Sequence, residues 1–209
     1  MTGSAAELSG LLERYGMAPA SQAWRRLHRY LELLRKWQER VNLVGSAEWR
    51  VTGPLVEEGL WAAGFYPEEP LRHLDIGSGA GFPALVLRIV RPHMSLDMVE
   101  SRGRRALFLE NAVQELELEG CRVFHARLEE LLRRCPAGGW DCVSWKGLKI
   151  AARDLRSLVK ACPEGALFYM FHGDRLPLED PSQMEGLRPR HACLEFPGKP
   201  GWRLSIYGK

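Results

Sequence analysis

Apolar residues fall at three- and four-residue steps through SQAWRRLHRYLELLRKWQERVNLVG, where Trp24, Leu27, Tyr30, Leu31, Leu34, Trp37 and Val41 share one side. That period predicts an amphipathic helix over 21–40, with Ser21 as N-cap and Gly45 as the stop. Further helices are predicted over 7–16 and 53–64, the latter with Pro54 near its start. YPEEP at 66–70 interrupts the pattern and sets a boundary there. Residues 1–68 then form a helical segment and residues 69–209 a second unit.

Beyond the break, short apolar runs alternate with helical periods. Strands are predicted over 71–77, 94–100, 121–126, 140–145, 165–172, 191–197 and 201–208. Helices are predicted over 82–92, 104–118, 128–134 and 150–162, Pro92 ending the first. Alternation of this kind implies an α/β fold with a mostly parallel sheet of seven strands, covered on both faces. The run of strands at the end implies an antiparallel edge. Trp24, Trp37 and Trp61 are expected in the core between the helical segment and the sheet.

The first strand runs into LDIGSGAGFPAL, residues 74–85. In an open parallel sheet, ligands bind beyond the C-terminal strand ends, where this loop lies. A phosphate-binding P-loop requires Lys-Ser or Lys-Thr, which does not follow. A dinucleotide loop requires glycine where Phe82 stands. Asp75, Gly77, Gly79 and Gly81 do match D/E-x-G-x-G-x-G, the first motif of methyltransferases that use S-adenosylmethionine. That cofactor has an amino-acid tail and a sulfonium, and bare glycine backbone lets it lie close. Glu100 ends the second strand, where a forked carboxylate suits a ribose diol. Ala126, Arg127, Leu128 and Glu129 occupy the turn after the third strand, near the expected adenine.

Composition adds limits. Apolar residues make up 45% and charged residues 26% of the 209, normal for a globular core. No apolar run approaches the ~20 residues of a membrane-spanning helix, and the opening residues do not read as a secretion signal. Five scattered cysteines form no C-x-x-C pair, so reduced thiols, no metal and a cytoplasmic location are expected. The net charge of +3 permits an anionic partner.

DIGSGAGFP, VESRGRRALFLENAVQELEL and FHARLEEL together resemble the GidB/RsmG family, bacterial methyltransferases of guanine N7 in 16S ribosomal RNA. YLELLRKWQERVNLVG is similar to the family's helical N-terminal segment, and WRLSIYGK to its closing strand. The resemblance implies a class I S-adenosylmethionine-dependent methyltransferase of Rossmann-like fold, acting as a monomer on ribosomal RNA or the small ribosomal subunit. It puts Gly77 and Phe82 at the cofactor, with Gly79 and Gly81 shaping the loop. It makes Glu100 the ribose acid and Leu128 with Glu129 the pair beside the adenine. The cofactor set is then Asp75, Gly77, Ser78, Gly79, Gly81, Phe82, Glu100, Ser101, Arg127, Leu128 and Glu129. Arg102, Arg104, Arg105 and Lys146, together with Arg127 and Lys149, are the residues expected to face RNA, Lys146 also positioning the substrate.

The chain departs from the family twice, as a divergent member would. Where the family carries Ser-Arg-Ala after the fourth strand, this chain has Trp145-Lys146-Gly147. Lysine keeps the charge and loses the planar fork; Trp145 is either a stacking surface or core. Where the family shows Arg-His-x-x-Asp-Ser, this chain reads TGPLVEEGLW, without that His and Asp. Three readings stay open: an active RNA methyltransferase, a relative that binds cofactor or RNA without methylating, and a methyltransferase of another substrate. Methylation of guanine N7 requires no acid, base or nucleophile, because N7 presents an in-plane lone pair. Cys142 and Cys162 are therefore expected to be buried structural thiols.

Overall fold

The computed structural model of the chain describes residues 3–135, 137–173 and 186–209. Three helices come first: α1 (Gly3–Arg14), α2 (Gln22–Gln38) and α3 (Trp49–Ala63). Ser21 caps α2 as predicted, its hydroxyl accepting from the Trp24 N–H at 3.2 Å. The stop differs. α2 ends at Gln38, whose side-chain oxygen accepts from the N–H groups of Leu43 and Val44 at 3.0 and 3.1 Å. A side-chain amide, and not Gly45, shapes this loop. α3 begins at Trp49, earlier than predicted, so Pro54 lies inside it. The carbonyl that Pro54 leaves without a donor belongs to Arg50, an exposed residue whose backbone can turn to water.

Alternation follows: β1 (Leu71–Ile76), α4 (Ala84–Val90), β2 (Met94–Glu100), α5 (Gly103–Glu115), β3 (Cys121–His125), α6 (Leu128–Arg134), β4 (Cys142–Lys146), α7 (Ala152–Ala161) and β5 (Leu167–Gly173). The chain closes with β6 (Arg188–Glu195) and β7 (Trp202–Gly208). One seven-stranded sheet has the order β3-β2-β1-β4-β5-β7-β6. The first five strands are mutually parallel, and β7 is antiparallel to both neighbours. Parallel neighbours need crossover connections, and α4, α5, α6 and α7 supply them between β1 and β5. The antiparallel pair at the end needs only a turn.

Both faces of the sheet are covered. On one face Leu27, Tyr30 and Leu34 of α2 share a core with Leu85 and Val86 of α4 and Phe108 of α5. On the other, Leu131 of α6 and Leu158 of α7 pack with Leu74, Val143 and Phe168. Trp145 belongs to this second core and is 0% exposed, which removes it as a stacking surface. Trp37 meets the edge of Phe108 and donates to Asn111 at 3.1 Å; Trp61 packs on Phe65 and Phe196. Cys142 and Cys162 are buried, and burial pushes both thiols up to about 12, far from nucleophilic use. Among the described residues no helix is long and apolar enough to cross a membrane.

Candidate cofactor cleft and active site

β1 emerges between β2 and β4, and its loop caps the C-terminal edge of the sheet. Gly77 and Gly81 both hold left-handed backbone, at φ +68° and +90°. A methyl at Gly77 would overlap Leu148 Cδ1, and one at Gly81 would lie 2.5 Å from Leu85 Cδ1. The loop is tied down by the Gly77 N–H to the Val99 carbonyl at 2.7 Å, and by the Gly81 N–H to the Ser78 carbonyl at 2.6 Å. From α2, the Tyr30 hydroxyl donates to the Ala80 carbonyl at 2.5 Å. The Phe82 ring tilts on Tyr30 in the core and does not line the cleft described below.

Asp75 and Ser78 lie beneath the loop. Asp75 is 2% exposed and accepts from the Ser144 hydroxyl at 2.5 Å. Burial pushes its carboxyl up to about 6, opposed by the hydrogen bonds of Ser144 and Ser78 and by the charge of Lys146. Ser144 spends its proton on Asp75, so His73 Nε2, 2.8 Å from Ser144 Oγ, carries the hydrogen of their bond. Burial pushes His73 down to about 3 and keeps it neutral. Ser78 donates to the Asp75 carbonyl at 3.1 Å. These groups hold the loop from below.

Glu100 joins two loops. One oxygen accepts from the Gly79 N–H and the other from the Arg102 N–H, both at 2.8 Å. A carboxylate has about four acceptor positions, so two remain for a ligand diol. Beside this clamp opens a cleft of about 410 Å³. It is lined by Gly77, Ser101, Arg127, Leu128 and Glu129 of the predicted set. Leu148, Lys149, Ile150 and Ala151, from the segment joining β4 to α7, and Asp154 of α7 complete the wall. Of these, sequence reasoning singles out Lys149 alone, and that for RNA.

The basic residues divide. Arg102 and Arg104 are exposed, and Arg105 Nη2 donates to the Asn42 carbonyl at 2.9 Å. Arg104 borders a hollow of about 640 Å³ with Lys36, Trp37 and Arg40 of the α2 end. Lys146 is drawn inward and pairs with Glu58 of α3. Burial lowers its ammonium pKa, with Glu58 opposing the shift. Its Nζ also stands 4.5 Å from the centre of the Trp202 ring, and Lys199 Nζ stands 4.1 Å from it. The two departures from the family pattern thus meet: Glu58 of TGPLVEEGLW partners Lys146 of Trp145-Lys146-Gly147. Glu58 and Trp202 are partners of Lys146 that the sequence does not single out.

The family model described as rRNA small subunit methyltransferase G (GidB) matches residues 23–175. The chain belongs to this family. Among its relatives, ribosomal RNA small subunit methyltransferase G of Streptococcus suis (strain 05ZYH33) is 36% identical over 124 residues, 55% of this chain and 50% of that protein. Its namesake in Geobacillus thermodenitrificans (strain NG80-2) is 34% identical over 134 residues, 62% and 56% of the two chains. The match spans about half the length of these relatives. Among solved structures, a mutant of MtNAS in complex with S-adenosylmethionine superposes with a TM-score of 0.62 at 17% identity, covering 90% of this chain and 77% of that one. TrmN from Thermus thermophilus gives 0.54 at 21% identity, over 75% and 48%. The fold of this GidB-family chain is therefore the class I methyltransferase fold, and its cofactor cleft sits at the edge where that fold places ligands.

Proposed function

We propose that this chain is an S-adenosylmethionine-dependent methyltransferase acting on guanine N7 in small-subunit ribosomal RNA. The observation that carries the reading is the clamped glycine loop. Gly77 lines the 410 Å³ cleft, Gly79 is half-buried beside it and Gly81 packs inward, while Asp75 supports the loop from below and Glu100 bridges it to the next turn. The residues fit the cofactor. Val99, Ala126, Leu128 and Ile150 supply apolar wall for a flat heterocycle, while Ser101 and Glu129 in the lining, with Glu100 next to Ser101 in the chain, supply polar groups for a ribose. GidB membership and the basic rim of Arg102 and Arg104 support RNA as the partner.

When bound, S-adenosylmethionine supplies a methyl group made electrophilic by a sulfonium. The protein's task is alignment of that group with N7. The N7 lone pair forms the new N–C bond while the C–S pair returns to sulfur, so no side chain must take a proton. Positive charge passes to the purine. A bare cation there would oppose the reaction, but Lys146 is neutralised by Glu58.

Calorimetry with S-adenosylmethionine and S-adenosylhomocysteine, followed by methyl transfer to small ribosomal subunits, tests the proposal. Saturable binding of both and N7 methylation of a single guanine are expected. Absence of binding to either would overturn it.

A further inference from the structure

A second cleft, of about 240 Å³, opens between α3 and the turn joining β6 to β7. Val51, Leu55 and Phe196 give it apolar walls, and Trp202 contributes an indole. Glu58, 3% exposed, also lines it. One Glu58 oxygen holds Lys146; the other takes no hydrogen bond from the described residues. Arg50 and Lys199 stand at the rim, both exposed. The turn is built to hold this arrangement: Phe196 N–H reaches the Trp202 carbonyl at 2.8 Å, and Trp202 N–H the Lys199 carbonyl at 3.2 Å. Lys146, at the end of β4, precedes the Leu148 wall of the cofactor cleft by two residues.

We infer that this second cleft receives the target guanine of the RNA. The inference rests on the methyltransferase reading above. Guanine presents, side by side, an acceptor at O6 and donors at N1 and N2. The buried pair offers the complement, a Glu58 carboxylate in the cleft wall with one oxygen that no described residue bonds, and behind it the Lys146 ammonium. Adenine inverts the first two groups and meets a donor with a donor. Trp202 supplies the flat surface on which an unstacked base rests. Lys199 rides on that ring from an exposed turn, so it can swing to a flanking phosphate and yield the ring to the base. With the Watson–Crick edge held at this pair, N7, the neighbour of O6, is left on the edge that can turn to the cofactor cleft.

The experiment is steady-state methyl transfer to small ribosomal subunits by the full chain, with S-adenosylmethionine affinity measured in parallel. Trp202→Leu should raise the KM for subunits roughly ten- to a hundredfold and leave cofactor affinity within twofold. Trp202→Phe should restore most of that loss. Lys199→Ala, on the exposed turn, should raise KM several-fold and reduce its salt slope by about 0.7 to 0.9. Glu58→Gln should lower kcat more than it raises KM. If the native chain methylates subunits while Trp202→Leu and Lys199→Ala keep its KM, the second cleft is not the base site and the methyltransferase reading survives. A native chain that neither binds cofactor nor transfers methyl would overturn both.

Discussion

The two clefts at the C-terminal edge of the sheet are built in opposite ways. The cofactor cleft takes its walls from successive strand ends: Gly77 just past β1, Ser101 just past β2, Ala126 to Glu129 past β3 and Leu148 to Ala151 past β4. Each wall follows its strand by a few residues, so the sheet itself sets the shape. The second cleft joins α3 to the β6–β7 turn, and behind its wall Glu58 pairs with Lys146 of β4, 88 positions away. The first depends on backbone geometry and the second on a buried charge pair. They should therefore fail by different substitutions.

The largest effect should come from the charge pair. Glu58→Leu leaves Lys146 mostly buried without its partner and should cost about 3–5 kcal/mol in urea unfolding. Adding Lys146→Met should recover most of that loss, because a buried pair replaced as a unit can be close to neutral. Equal stability of the single and double variants would show the pair to be solvated. Cofactor affinity in the double variant should stay near native, which separates the clefts directly.

Beneath the glycine loop the comparison sharpens through pH. Asp75, raised to about 6 from 3.8, favours the fold in its protonated form; that contribution is complete below 3.8 and lost as pH climbs through 6. His73, lowered to about 3 from 6.5, favours the fold when neutral; its contribution is complete above 6.5 and lost as pH falls toward 3. Between pH 7 and pH 4 the two oppose each other. The native chain should lose about 1 kcal/mol from this pair over that span, and Asp75→Asn about 3 kcal/mol. Urea titrations at the two pH values measure the difference, and identical slopes would refute the opposition.

How much of this was legible in the sequence follows from the same division. Strand–helix alternation and a glycine loop are local patterns, and all seven expected strands are present in order, with β6 displaced most, at Arg188–Glu195 against the expected 191–197. Errors arise where a side chain acts on distant backbone, as Gln38 does in ending α2, or where solvent excuses a proline, as at Pro54. The Glu58–Lys146 pair was hidden for a stronger reason. Lys146 at a strand end calls for an acid, but nothing along the chain says which of many acids folds against it. The motif assigns Asp75 and Phe82 to the cofactor, yet their side chains lie under the loop and in the core, because a motif carries order along the chain and not side-chain direction.

Smaller effects probe the clamp and the rim. Glu100→Gln keeps one acceptor oxygen and sets an NH2 donor against the other N–H, so it weakens one bond, breaks the other and should cost about 1–3 kcal/mol, with S-adenosylmethionine affinity falling tenfold or more by calorimetry. An unchanged affinity would detach Glu100 from the cofactor cleft. Arg102→Ala and Arg104→Ala should each lower the salt slope of RNA binding by about 0.7 to 0.9 without altering folding. A slope that stays constant in both would move the RNA path away from the α5 start.

The bond from Tyr30 to the Ala80 carbonyl decides whether the glycine loop can be transplanted. A shortened chain beginning after α3 would keep every residue of the cofactor motif. It would lose the phenol that carries the loop's midpoint and the aromatic floor under Phe82. The loop is not a cassette: its shape is a joint product of the motif and of a helix that ends more than thirty residues before the motif begins.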